Sequence, residues 1–287
     1  MEPDFGKAWA KIGCLEWRNR GENRLVNRKL LNHLSLFSGI GGADIAAEWA
    51  GFQTIAFVEI DNFCQKVLKK NWPNIPIWGD IRNVQGKDFA AKDIVLVTGG
   101  FPCQDVSQAG KHKGRSGERS ILWREYSRII SETRPKWCVV ENVSGLLSND
   151  DGQFFGEVLR DLATIGYDAE WGSLFASQFG ANHSRERIFI VAYPNSKRWN
   201  AMVNFQEDRL PKNCLQSFQE WRTMVNDLHL CLEPNYNNPS IGINRNDDGI
   251  SKGMDRLKSL GNAIVPQQIY SILQQIADIE NNETLLK

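Results

Sequence analysis

The sequence lacks closely spaced cysteine pairs, metal-type histidine spacing and long apolar runs, and each absence excludes a class of protein. Its six cysteines include no C-x-x-C pair, and its four histidines are not paired. A zinc site and a disulfide framework are therefore not expected, and no metal is assigned. A reducing cytoplasmic compartment is the default. The apolar runs are far shorter than a membrane span, and the first residues lack a signal-peptide core.

The sequence also lacks a net charge, because 34 basic residues balance 34 acidic ones. A neutral chain neither requires nor excludes a nucleic-acid partner, since phosphate contacts need only a local basic surface. Hydrophobic residues make up 41% and charged residues 24%, which is ordinary for a globular protein. With 287 residues the chain can form one large domain, or one domain and a small second lobe.

Short apolar runs alternate with amphipathic stretches along most of the chain. Strands are predicted at residues 31–37, 54–58, 76–81, 93–97, 137–140, 167–177 and 187–193. Helices are predicted at residues 43–50, 62–71, 120–133, 153–164 and 267–279. The alternation predicts an α/β fold with a doubly wound mixed sheet, closed by a hairpin at one edge.

A single cysteine follows the fourth predicted strand. The run 93–97 is short, rich in β-branched residues and bounded by Gly99 and Gly100, which is typical of a buried strand. Cys103 comes next, between Pro102 and Gln104. Ligands in open α/β sheets bind beyond the carboxyl ends of the strands, so this thiol is a candidate nucleophile. The alternative is a small buried apolar side chain, which describes most free cysteines.

Polar groups also follow the other predicted strands. A glycine turn, 38–42, follows the first strand, and Glu59 lies twenty residues after Gly39, an offset typical of nucleotide-type sites. Asp80 follows the third strand, and these three ends predict a cleft for an adenosine-like ligand. The alternative is a packing turn with a surface acid. The polar segment 104–119 carries several basic residues and predicts a mobile lid or a solvated loop.

Seven short motifs, in one order, resemble the DNA cytosine-5 methyltransferase family. They are Phe37-Ser-Gly-Ile-Gly-Gly42, Glu59, Gly79-Asp80-Ile81, Gly100-Phe-Pro-Cys-Gln104, Glu141-Asn-Val143, Arg185-Glu-Arg187 and Gly261-Asn-Ala-Ile-Val-Pro266. The resemblance covers roughly residues 30–193 and 254–279. Each motif alone has low specificity, whereas seven in the family's order are highly specific.

The resemblance implies an S-adenosylmethionine-dependent enzyme with a Rossmann-like fold that methylates carbon 5 of cytosine in duplex DNA. Carbon 5 is a poor nucleophile, so a thiolate first adds to carbon 6, and the resemblance assigns this step to Cys103. Glu141 would hydrogen-bond ring nitrogen 3 and the exocyclic amine. Arg187 would hold the exocyclic oxygen, and Arg185 would steady the base or the nearby backbone. The target base must leave the stack, and segment 104–119 matches the loop that closes over it.

The same resemblance implies a cofactor pocket. Its expected members are Phe37, Gly39, Gly42, Glu59, Ile60, Asp80, Ile81, Leu122, Asn262 and Ile264. Glu59 would take the ribose hydroxyls, and Asp80 would meet the adenine amine. Because two members lie near the end of the chain, segment 254–279 must pack back against the N-terminal strands.

Composition and the resemblance together predict how the chain is divided. Residues 1–29 form an N-terminal extension, 30–193 the catalytic and cofactor-binding domain, 194–253 a small target-recognition region, and 254–287 a segment that completes the catalytic domain. The recognition region is compact, which implies a short or degenerate target. One departure is His183, at a position where family members often carry glutamine.

Three functional interpretations remain open. The first is a monomeric DNA methyltransferase, either of a restriction–modification system with a partner endonuclease or solitary in a phage or prophage. The second keeps the chemistry but takes transfer RNA as substrate, because one branch of the family does so. The third is a non-catalytic protein that binds cofactor or DNA, although decay would be expected to erase Cys103, Glu141 or Arg187.

Overall fold

The computed structural model describes residues 31–89, 93–102, 116–179, 181, 184–195, 259 and 262–285. The predictions for the N-terminal extension, for Cys103 and the twelve residues after it, and for His183 lie outside these ranges. So do those for almost all of the region 194–253.

Seven strands in the described part of the chain form one mixed sheet. They are β1 Leu31–Leu36, β2 Phe52–Val58, β3 Ile77–Trp78, β4 Ile94–Gly99, β5 Trp137–Val143, β6 Tyr167–Phe175 and β7 Glu186–Pro194. Their order across the sheet is β3-β2-β1-β4-β5-β7-β6. Strands β1 to β5 pair in parallel, whereas β7 is antiparallel to both β5 and β6. The predicted mixed sheet with a hairpin at one edge is confirmed.

Helices cover both faces of this sheet. They are α1 Gly42–Ala50, α2 Asn62–Asn71, α3 Ser116–Thr133, α4 Gln153–Thr164 and α5 Pro266–Leu285. One core cluster joins α3 and α4 to the sheet, and a second joins α1 and α5 to it. Successive residues of a strand point to opposite faces, and β5 accordingly places Cys138 in the first cluster and Trp137 in the second. None of the helices described combines the length and apolar character that a membrane crossing requires.

Small residues bring α1 close to α5. Helix α1 is rich in alanine, and its buried alanines lie in the same core cluster as Ile269, Ile272 and Leu273 of α5. At the rim, Trp49 meets Tyr270 edge to face, with ring centroids 5.9 Å apart. The prediction that the distant C-terminal segment packs back against the start of the domain is therefore confirmed.

A fully buried polar network crosses the sheet beneath the glycine turn. His33 on β1 contacts the hydroxyls of Thr54 on β2 (2.9 Å) and Thr98 on β4 (2.7 Å). Thr54 and Ser35 donate to Asp44, in the first turn of α1. Burial lowers the pKa of His33 to about 3 and raises the pKa of Asp44 to about 7. The network thus ties the strand before the cysteine to the helix after the glycine turn.

Several elements end at other residues than the sequence predicts. Strand β5 continues through Val143, because residues 141–143 pair with β7. Helix α3 begins at Ser116, within the predicted lid. Strand β3 has only two residues, since Asp80 starts a helical turn and accepts a hydrogen bond from the backbone N–H of Arg82. Helix α5 continues to Leu285.

Candidate active site

The backbone that leads from β4 toward Cys103 runs in close contact with its neighbours. A Cβ at Gly99 would overlap the carbonyl oxygen of Leu36, and a Cβ at Gly100 would lie 2.7 Å from Oε2 of Glu141. Because Cβ atoms do not approach other atoms so closely, only glycine fits at either position without displacing its neighbour. The two glycines therefore place this segment against the end of β1 and against the Glu141 carboxyl.

Glu141 is a buried carboxyl on β5, opposite Phe189 of β7. Its Oε1 lies 2.9 Å from Nε of Arg187, which forms an ion pair with it. Beyond this ion pair, Oε1 has no further hydrogen-bond partner among the described residues. Burial raises the pKa of Glu141 to about 7, although both arginines of the Arg-Glu-Arg motif oppose this rise. A carboxylate oxygen has two lone pairs, so Oε1 can still accept a hydrogen bond from a ligand.

Asn142, the residue after Glu141, is hydrogen-bonded to the segment that leads to Cys103. Its side-chain Nδ2 donates to the main-chain carbonyl of Phe101 at 3.1 Å, and its Oδ1 accepts from the N–H of Val143. Phe101 is itself buried against Trp123. The backbone is therefore fixed two residues before Cys103. The residue-by-residue predictions missed this role, although Asn142 lies within the Glu-Asn-Val motif.

The two arginines of the Arg-Glu-Arg motif point to different partners. Arg187 reaches Glu141 and donates from Nη1 to the carbonyl of Glu186. Arg185 instead donates from Nη2 to the carbonyl of Ala263 at 2.8 Å. Burial, together with the charge of Arg187, lowers the pKa of Arg185. The sequence groups these residues in one motif, but Arg187 forms an ion pair with the candidate catalytic carboxyl, whereas Nη2 of Arg185 is bound to the C-terminal segment.

The glycine turn after β1 is joined to the end of β2 by Glu59. The N–H of Gly39 donates to Oε2 of Glu59 at 2.7 Å, and the N–H of Asp61 donates to Oε1 at 2.7 Å. Glu59 is only 8% exposed, and burial raises its pKa against these two hydrogen bonds. Gly39 has a φ of +56°, and a Cβ there would meet no atom within 4 Å. Open space therefore lies next to the turn.

The remaining predicted cofactor residues differ in environment. Ile60 is 62% exposed beside Glu59, whereas Ile81 is buried in the core. Asp80 forms an ion pair with Arg82, which lowers the pKa of Asp80. The structure therefore shows Asp80 bound to a partner that the sequence did not indicate.

Phe37, Leu122 and Ile264 come from three different parts of the chain. Phe37 lies parallel to the buried ring of Tyr126, at 6.1 Å between centroids, and Leu122 packs against the same core cluster. A Cβ at Gly42 would overlap the carbonyl oxygen of Ile264, so the C-terminal segment touches the turn directly. Asn262, two residues earlier, is exposed.

The strand order and the polar residues at the strand ends define a doubly wound, Rossmann-like methyltransferase fold. The family model for C-5 cytosine-specific DNA methylase matches residues 31–241. The chain therefore belongs to this family.

Curated relatives agree with this assignment, and a solved structure shares the fold. The Type II methyltransferase M.DsaV of Dactylococcopsis salina is 33% identical over 180 residues, covering 63% of this chain and 50% of that protein. M1.ScrFI of Lactococcus lactis subsp. cremoris is 36% identical over 188 residues, covering 64% and 46%. The chain thus spans about half the length of the curated relatives it matches. The S. pombe Dnmt2 methyltransferase shares the fold, with a TM-score of 0.57 and 19% identity over 88% of this chain and 99% of that one.

Proposed function

We propose that the protein is a DNA cytosine-5 methyltransferase that modifies a cytosine flipped out of duplex DNA. The observation that carries the proposal is the environment of Glu141. A buried carboxyl with a pKa near 7 lies against the backbone that leads to Cys103, and Arg187 contacts it. This set of groups can hold the polar edge of a pyrimidine.

The cleft at the glycine turn fits S-adenosylmethionine, the methyl donor that membership of this family implies. Glu59 uses one hydrogen bond on each carboxylate oxygen, which leaves lone pairs for two ribose hydroxyls. Exposed Ile60 beside it offers an apolar surface for an adenine ring, and the open space at Gly39 admits a ligand close to the backbone. When bound, the cofactor supplies an electrophilic methyl group.

The protonated form of Glu141 is the form that matches cytosine. Ring nitrogen 3 of cytosine has no hydrogen and accepts, whereas the neighbouring amine donates. A carboxylic acid can donate through its O–H to the first and accept through its other oxygen from the second. The raised pKa supplies this neutral form at physiological pH.

Cys103 supplies the nucleophile in this proposal. Its thiolate adds to carbon 6, and the electron pair of the carbon 5–carbon 6 double bond becomes available at carbon 5 for the methyl group. The ring nitrogen gains electron density during the addition, and the Glu141 proton stabilises it. Loss of the carbon 5 proton then restores the double bond and expels the thiolate. Asn142, which holds the carbonyl of Phe101, fixes the backbone from which Cys103 attacks.

We assign recognition of the surrounding bases to residues 194–253, and completion of the catalytic domain to 254–287. The relatives named as Type II methyltransferases favour a prokaryotic restriction–modification role in the cytoplasm, with a partner endonuclease. No metal is assigned, and one active site acting on one strand requires only a monomer. Transfer RNA is the alternative substrate.

The test is methyl transfer by the full chain, measured side by side on duplex DNA and on transfer RNA. We expect transfer to DNA, and a covalent adduct with DNA that carries 5-fluorocytosine, because fluorine cannot leave as a proton does. Cys103→Ala should abolish both transfer and adduct while S-adenosylmethionine still binds. Cys138→Ala is the matched control, since Cys138 is buried in β5. Full activity of Cys103→Ala would overturn the covalent mechanism, and transfer to RNA alone would overturn the DNA assignment.

A further inference from the structure

Arg185 is bound to the C-terminal segment by both its side chain and its main chain. Its Nη2 donates to the carbonyl of Ala263 at 2.8 Å. Its own carbonyl accepts from Nε2 of Gln268 at 3.1 Å and from the N–H of Ala176 at 3.0 Å. One residue of the hairpin connection therefore holds the segment just before α5 and the first turn of α5.

Gln268 completes this connection and has one possible amide orientation. Its side chain is fully buried, and its Nε2 donates to the carbonyl of Leu174 at 2.9 Å as well as to that of Arg185. Since both partners are acceptors, the NH₂ group must face them. The first turn of α5 is therefore tied to the end of β6 and to the residue just before β7.

The segment held in this way contacts the glycine turn. The carbonyl oxygen of Ile264 fills the space that a Cβ at Gly42 would need. A shift of Ala263 by a few tenths of an ångström would therefore move the neighbouring carbonyl relative to Gly42. Protein interiors are close-packed, so such shifts are transmitted to adjacent groups.

We propose that Arg185 is a positioning residue of the cofactor pocket, which holds residues 262–265 against Gly42 and so sets the affinity for S-adenosylmethionine. The inference rests on the proposed function and gives Arg185 a different role from the contact with the base that its motif implies. Arg187, which contacts Glu141, keeps the role on the base side.

The experiment measures the dissociation constant of S-adenosylmethionine for the full chain by isothermal titration calorimetry, without DNA. Arg185→Met keeps an apolar stem and removes every donor. We expect the dissociation constant to rise at least tenfold, which corresponds to about 1.4 kcal/mol. Arg185→Lys keeps a charged donor and should restore the constant to within about threefold of wild type, since one hydrogen bond can re-form.

Arg187→Met is the matched control, because the other arginine of the motif has no bond to the C-terminal segment among its described contacts. It should lose methyl transfer but bind S-adenosylmethionine like wild type. Gln268→Glu is a second test variant. The glutamate side chain differs from glutamine by one heavy atom, but its carboxylate would face two carbonyl oxygens and repel them, so cofactor binding should weaken. Thermal unfolding without ligand is measured on every variant, and a loss of binding at an unchanged midpoint supports positioning.

Wild-type affinity in Arg185→Met, or equal losses in Arg185→Met and Arg187→Met, would overturn the inference. If Arg185→Met binds the cofactor normally but no longer transfers methyl groups, Arg185 acts on the target base and not on the cofactor pocket. If wild type transfers no methyl group at all, the proposed function fails, whatever the affinities are. The two failures are therefore distinguishable.

Discussion

Replacement of Glu141 by glutamine separates the proton of this side chain from its shape. An amide can donate to ring nitrogen 3 and accept from the exocyclic amine, as the protonated acid does, but it does not titrate. In the wild-type protein the pKa is raised from 4.5 to about 7 by burial. The protonated form therefore makes up roughly half of the population at pH 7, roughly a hundredfold more than an exposed carboxyl would provide.

Methyl transfer by the wild-type protein should become slower as the pH rises above about 7. The acid is protonated below its pKa, so the competent fraction of wild type falls tenfold per pH unit above about 7. We expect kcat/KM for methyl transfer to show this alkaline limb between pH 7 and 9, since this ratio reports the free enzyme. Glu141→Gln should be slower at pH 7 by roughly 10²–10⁴, the usual contribution of a general acid. It should also lack the limb.

The assay is transfer of a radiolabelled methyl group to duplex DNA, with cofactor and DNA varied at each pH. Glu157→Gln on α4 is the matched control, because Glu157 is exposed and should give the wild-type profile. The same alkaline limb in Glu141→Gln would refute the reasoning, because the titrating group would then lie elsewhere.

Three further variants test neighbouring features. Gly100→Ala places a Cβ 2.7 Å from Oε2 of Glu141, so transfer should fall at least tenfold, whereas Gly156→Ala in α4, with no atom within 4 Å, should retain activity. Asn142→Asp replaces a donor with a carboxylate facing a carbonyl, so adduct formation on 5-fluorocytosine DNA should slow while cofactor affinity stays constant. Asp44→Asn should make stability fall as pH drops below about 6.5, because the buried histidine stays neutral in the folded state. In wild type the free energy of unfolding, measured by urea titration, should change little over this range. The buried Asp44 has a raised pKa, so its contribution to stability increases as the pH falls from 7 and offsets the loss from the histidine.

Local sequence patterns predicted most of the fold. Alternating apolar runs and helical stretches gave the strands and the doubly wound sheet, because periodicity is a local property. The boundary of α3 was wrong because Ser116 and Gly117 have low helix propensity, and the sequence alone placed them in the lid. The last three residues of β5 lie beyond the predicted strand 137–140, because their strand character depends on pairing with β7.

The site residues also divide into those that a local sequence pattern indicates and those whose partners are distant in the chain. Glu59 and Glu141 could be placed at the cleft because each follows an apolar strand run, and the structure locates both near the strand ends. The hydrogen bond from Arg185 to Ala263 spans 78 positions. No local pattern indicates such a partner. The ion pair of Asp80 with Arg82 is local, but nothing in the sequence ranks it above a contact with a ligand.

The contact between Gly42 and Ile264 bears on the order of events during synthesis. About 220 residues separate the two walls of the cleft. At roughly 5–20 residues per second, a ribosome that has added Gly42 needs on the order of 10–40 s more to reach Ile264. During that interval the nascent chain can form strands β1 to β5 and the Glu141 carboxyl, yet it has no complete cleft for the methyl donor. On the proposed function, a partly synthesised chain therefore lacks the wall of the cofactor cleft that Ile264 provides.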